Sequence, residues 1–193
     1  MLLDILTVPN PILSAIAEPI HPEDDYTELA ADMCETMLSD GGGAGLAAPQ
    51  VGQSVRIIVV DLTVDHLGRL LHPRALGGEP LVLANPKIIQ RSDETAFDSE
   101  GCLSVPRVNA SVQRSTSIRL EALRLTPDGW QPNEDERFFI AEGFAARLIE
   151  HEVDHLDGKT IDAGFTRQQR RRYERGQAKK ETKTKHARET ASA

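Results

Sequence analysis

The chain has 193 residues, 39% hydrophobic and 27% charged, enough for one globular domain with a core that folds unaided. No apolar run reaches the roughly 18 residues a membrane span needs, and Met1-Leu2-Leu3-Asp4-Ile5 lacks the basic start and apolar stretch of a secretion signal, so a cytoplasmic protein is expected. Two cysteines, Cys34 and Cys102, are too few for a disulfide framework, and the formal charge of −8 divides into +7 for residues 166–193 and −15 for 1–165.

In chain order, Tyr26, Leu29, Ala30, Met33, Cys34, Met37 and Leu38 recur at helical spacing and predict an amphipathic helix over 25–39. Cys34 falls on its apolar stripe and reads as a small core hydrophobe. After the glycine-rich Gly41 to Gly45, the β-branched run Val55 to Asp61 predicts a buried strand. Leu81 to Asn85 and Lys87 to Gln90 read as further strand, with Pro86 marking a kink or an edge, and the Gly-, Pro- and His-rich 65–79 between them as a surface loop. Ser117 to Ala122 alternates polar and apolar like a strand with one wet face, Pro127-Asp128-Gly129 is a turn, and 136–140 is the expected returning strand. From Ala141 the period becomes helical, with Ala141, Phe144, Ala145 and Leu148 on a face that His151, Glu152 and His155 continue, until Asp157-Gly158 stops it.

The expected fold is α+β: antiparallel sheets packed around a central metal-binding helix, with an N-terminal helix and a C-terminal basic helix. Residues 1–165 would form the catalytic domain and 166–193 a basic, partly flexible helix or tail. Two readings of that tail stand open, a solvated helix end or a landing strip for nucleic acid such as ribosomal RNA. With Tyr173 its lone aromatic, base-specific reading is not expected.

The chemistry concentrates in His151-Glu152-Val153-Asp154-His155. Two imidazoles four residues apart on a helix converge on one metal, and the carboxylate between them can act on water held there. A catalytic site of this kind takes a third protein ligand, and Cys102, in Glu100-Gly101-Cys102-Leu103-Ser104, is the candidate; a buried thiol without metal is the alternative. The passage Gly43-Ala44-Gly45-Leu46-Ala47-Ala48-Pro49-Gln50 fits neither a phosphate loop nor a dinucleotide fingerprint. It reads either as a flexible connection or as a wall where substrate backbone lies against glycine, with Gln50 as a hydrogen-bond donor.

Taken in order, Gly43-x-Gly45-Leu46-Ala47-Ala48-Pro49-Gln50, Glu100-Gly101-Cys102-Leu103-Ser104 and His151-Glu152-x-Asp154-His155-Leu156-x-Gly158 resemble the three signature motifs of peptide deformylases. The resemblance spans about residues 1–165. It implies removal of the formyl group from the N-terminal methionine of newly made proteins. It implies one divalent metal held by Cys102, His151 and His155, iron(II) in the cell, with zinc, nickel or cobalt as substitutes. Glu152 would be the general base and acid, and Gln50 and the backbone N–H of Leu103 would stabilise the oxyanion. Gly43, Ala44, Gly45, Gly101, Arg147 and Leu148 would line the substrate site, with Gly45 pairing with substrate backbone. Glu100 and Arg114 would form an ion pair bracing the Cys102 segment.

The chain departs from the family pattern at Ala44, where a branched residue is usual, at Glu150, usually Gln, and at Arg147, where many members carry an apolar pocket residue. A buried cation at 147 needs water or an acid, and Glu150 and Asp98 are the expected partners. The rival readings are a zinc endopeptidase, with its third ligand downstream among Asp157, Asp162 and His186, and a non-catalytic ribosome-associated protein that keeps the fold.

Overall fold

The computed structural model describes residues 1–39, 43–62, 80–132 and 139–178. The expected loop over 65–79, Gly41 and Gly42, residues 136–138 of the expected returning strand, and His186 lie outside them. The architecture is α+β. Helix α1 (Thr27–Leu38) precedes strands β1 (Gly45–Ala47), β2 (Ile57–Val60), β3 (Leu81–Arg91), β4 (Thr95–Glu100), β5 (Ala110–Ser115), β6 (Ser117–Thr126), β7 (Gly129–Pro132) and β8 (Phe139–Glu142), then helix α2 (Phe144–Leu156). Residues 167–178 form a last helix, α3. No helix among the described residues is long and apolar enough to cross a membrane.

The main sheet runs β1-β2-β3-β6-β7, with β8 also paired to β6, and each of these strand pairs is antiparallel. β4 and β5 make a separate two-stranded hairpin. The sheet is covered on both faces, which explains why β2 is a continuous apolar run rather than an alternating one. Ile58 and Val60 pack with Ile149, Val153 and Leu156 of α2, while Ile57 and Val59 pack with Met33 and Met37 of α1. Burying each such side chain contributes about 2 kcal/mol. Cys34 packs against the α1 cluster as a partly buried hydrophobe.

Pro86 does kink its strand, but not at an edge. β3 is one strand lying between β2 and β6, and the register shifts between Ala84 and Lys87. The bulge removes the need for a ladder donor at Pro86. Asn85 has φ 50 there, and its side chain accepts from Ile20 N at 2.9 Å and donates to Ile20 O at 2.8 Å.

The helical period assigned from Ala141 begins later than expected. Ala141 belongs to β8 and pairs with Ile118; Ile140 and Glu142 are exposed while Ala141 is buried, the alternation of a strand. Gly143, at φ 57, makes the turn into α2. The strand returning from the 127–129 turn is β7, with Gly129 at φ 95 in the hairpin. Gly158, at φ 70, follows the end of α2 as expected.

A third cluster joins Val105, Val108, Ala110 and Ile161 to Tyr173 of α3, with Phe165 packed against it. The Tyr173 hydroxyl donates to Val8 O at 2.7 Å, which ties α3 to the body of the molecule.

Candidate metal centre and substrate cleft

α2 is buried on almost every side, so its polar residues at 147, 150, 151, 152 and 155 all need partners inside the protein. Cys102, on the segment between β4 and β5, meets His151 and His155 there. One ligand atom from each lies within 4.8 Å of the others, and these three form a group that could hold a metal among the described residues. Cys102 Sγ is 3.2 Å from His155 Nε2. The endopeptidase alternative finds no support in position: Asp157 pairs with Arg56 at 3.0 Å, and Asp162 lies 3.8 Å from Arg170.

Glu100, at the end of β4, organises the centre. Its Oε2 lies 2.9 Å from His151 Nδ1, which orients that imidazole and leaves Nε2 for a ligand role. The same carboxylate accepts from Arg114 Nε and Nη2, both at 3.0 Å, and from Arg147 Nη1 at 2.7 Å. The expected Glu100–Arg114 pair is therefore present, within a larger network. Arg147 departs from expectation: its partner is Glu100, not Glu150 or Asp98. Its guanidinium also donates to Val112 O at 3.0 Å and Ala96 O at 2.7 Å, so the head turns into the β4–β5 hairpin while the residue lines the cleft. Glu150 points away from the cleft, accepting from Arg91 Nε at 2.8 Å and Ser115 N at 3.0 Å.

Electrostatics follow from this wiring. Burial pushes the Glu100 carboxyl up, but the hydrogen bonds from His151 and Arg114 outweigh it and hold the group at about 2. Burial also disfavours a charged His151, yet Cys102 and Glu100 beside it raise it to about 10. His155, buried and next to that imidazole, is pushed down to about 3 and is neutral at pH 7. Burial lifts Glu152 to about 7, against the pull of His151, so the group can exchange a proton near neutrality.

Glu152 is 2% exposed, and its Oε2 is buried with no hydrogen-bond partner among the described residues. An unpaired buried carboxylate oxygen is costly, and here it sits beside a converging Cys–His–His set. The donor set is also chemically apt, since two imidazoles and a thiolate suit iron(II), zinc, nickel and cobalt. The residues thus fit a divalent metal.

Glu152 occupies space that only a glycine at 45 leaves free. A Cβ on Gly45 would lie 2.9 Å from both Cγ and Cδ of Glu152, and closer still to Oε1. Gly45 pairs with Val60 on the inner side of β1, and β1 is the end strand of the sheet, so its other side is an edge. Gln50 sits in the 3-10 turn Ala48–Val51 that follows β1. Its Oε1 accepts from Ala47 N at 2.8 Å, which turns Nε2 toward Ser104 Oγ at 3.3 Å and Cys102 Sγ at 3.7 Å. Gly43, Ala44, Gly45, Gln50, Gly101, Cys102, Leu103, Arg147, Leu148, His151 and Glu152 all line one cleft of about 800 Å³. His155 lies behind it, 1% exposed. What sequence reasoning missed is the reach of Glu100 to Arg147 and the part of the wall made by Val105 to Asn109 and Phe144.

A family profile described as polypeptide deformylase matches residues 2–171. A peptide deformylase of Alkalilimnicola ehrlichii is 39% identical over 175 residues, covering 90% of this chain and 88% of that one. The crystal structure of peptide deformylase from Ehrlichia chaffeensis is similar with a TM-score of 0.78 at 33% identity, over 95% of this chain and 99% of that one. A Met-Ala-Ser-bound class I type b peptide deformylase from Acinetobacter baumannii gives a TM-score of 0.71 at 30% identity, over 86% and 99%.

Proposed function

The chain belongs to the polypeptide deformylase family, and we propose that Glu152, Gln50 and Leu103 carry out that family's reaction in the cleft beside Cys102, His151 and His155. The protein is a metal-dependent hydrolase that removes the N-formyl group from newly made proteins and releases formate. The observation that carries the assignment of roles is Glu152, buried beside the three donor atoms in space vacated by the missing side chain of Gly45.

The substrate chain lies along the outer edge of β1, where Gly45 pairs with its backbone as one further strand would. That the Acinetobacter baumannii relative is Met-Ala-Ser bound supports a peptide as the occupant. The methionine side chain enters between Ala44, Leu148 and the aliphatic stem of Arg147, whose charged head is already satisfied by Glu100. Gly43 and Gly101 keep the entrance open to backbone.

Cys102, His151 and His155 would hold the divalent metal, iron(II) in the cell, which supplies Lewis acidity and lowers the pKa of water at the site. Glu152 takes a proton from the attacking water and returns one to the departing amine nitrogen as the formyl carbon–nitrogen bond breaks. The amide of Gln50, fixed by Ala47 N, and the backbone N–H of Leu103 donate to the oxyanion, each worth roughly 3 kcal/mol. Glu100 holds His151 in the orientation this requires.

The test is to purify the protein under reducing, oxygen-poor conditions, measure bound metal, and follow formate release from formyl-Met peptides. We expect about one iron per chain and formate. Bound metal without formate would sink the assignment, and cleavage of internal peptide bonds would favour the endopeptidase. We also propose that the protein works in the cytoplasm. There the basic C-terminal segment, including Lys179, Lys180, Lys183, Lys185 and Arg188, would contact the ribosome.

A further inference from the structure

A second cleft, of about 1000 Å³, opens beside the first, and the Pro106–Val108 loop lines both. Its far wall is α3, which contributes Arg167, Arg171, Arg172 and Arg175, while Arg107 stands where the two clefts meet. No Asp or Glu lines it among the described residues, although residues 1–165 carry a net charge of −15. The structure gives none of the five arginines an acidic partner among those residues, in contrast to Arg170, which lies by Asp162. Arg107 also has φ 72, a left-handed backbone that residues with side chains seldom adopt. Five guanidinium groups in one concave surface, with no acidic partner among the described residues, make an anion site.

We propose that this arginine cleft receives acidic side chains of the nascent chain several residues downstream of the formyl-methionine, so that substrates carrying Asp or Glu there are processed faster. The proposal rests on the function assigned above. Continuity with the substrate cleft favours a peptide, since a chain anchored at the metal centre presents its following residues to the arginines at high effective concentration. Nucleic acid is less well served. The cleft's aromatic, Tyr173, is buried with its hydroxyl on Val8 O, so no face is offered for base stacking.

The experiment compares ten-residue formyl-Met peptides that carry three Glu or three Lys at positions four to eight, with formyl-Met-Ala-Ser as the reference that ends short of the cleft. At low salt we expect kcat/KM for the Glu peptide to exceed that for the Lys peptide about three- to tenfold, through KM, and the ratio to shrink near 0.5 M salt. In Arg171→Gln/Arg172→Gln/Arg175→Gln the ratio should fall to about one, and in the corresponding triple Lys variant it should persist. Equal turnover of both peptides by the unaltered enzyme, or an undiminished ratio in the Gln variant, would overturn the proposal. So would a Gln variant that loses affinity only for a labelled RNA oligonucleotide. If formyl-Met-Ala-Ser itself stayed intact, the assigned reaction would be wrong. The cleft would then be judged by anisotropy of the labelled Glu peptide, whose failure to bind more tightly than the Lys peptide would overturn it.

Discussion

Glu100 holds two arginines and an imidazole with two oxygens, and each bond spans a wide separation in the chain, from β4 to β5 and to α2. Removing Arg147 takes one of three partners from the buried Glu100 carboxylate and the side-chain donor from Val112 O and Ala96 O. Arg147→Leu should therefore lower stability by about 2–3 kcal/mol, read from the denaturation midpoint, even though Leu is apolar and the position is buried. The network also fixes an acid limit. Because the folded carboxyl of Glu100 sits at about 2 against an ordinary 4.5, its contribution to stability is present above about pH 4.5 and is lost as pH falls toward 2. Thermal unfolding of the protein across that range should show a steeper decline than Glu100→Gln does. At the reacting centre, Glu152→Ala should keep bound metal and lose roughly a thousandfold in kcat, whereas Cys102→Ala should lose metal and activity together. Near-native turnover by Glu152→Ala would show that the proton is handled elsewhere.

Among the elements, α2 was legible because its pattern is local: a 3.6-residue period and a five-residue ligand motif can be read from neighbouring positions. Its start is not legible, because Ala141 satisfies that period while pairing with Ile118 as part of a strand. The β4–β5 hairpin is not legible for a different reason. All of Thr95 to Ser99 is exposed and only Glu100 is buried, so no apolar alternation marks the strand. Yet that hairpin supplies Glu100, Arg114 and the carbonyls that hold Arg147. A cation at 147 needs water or an acid, and the acid it meets, Glu100, lies 47 positions away, where no sequence period connects them.

For the whole molecule, the division at residue 165 meets a structural fact: Tyr173 of α3 is buried against Val105, Val108 and Ile161. Electrostatically 166–193 is a separate object, but its first turns share packing with the body. Truncation after Ala178 should leave the melting temperature and peptide turnover unchanged while reducing co-sedimentation with ribosomes at low salt. Truncation after Phe165 should in addition lower the melting temperature by roughly 5 °C or more, because it strips the cover from that cluster. Differential scanning calorimetry of the two proteins separates the effects.

The glycine at 45 bears on how the enzyme can respond to selection by an inhibitor. An inhibitor that hydrogen-bonds to its backbone grips atoms that no mutation deletes, and any side chain placed there collides with Glu152. Escape must then arise at neighbours such as Ala44, and resistant clones selected with a peptide-like inhibitor should carry substitutions around position 45 but none at it.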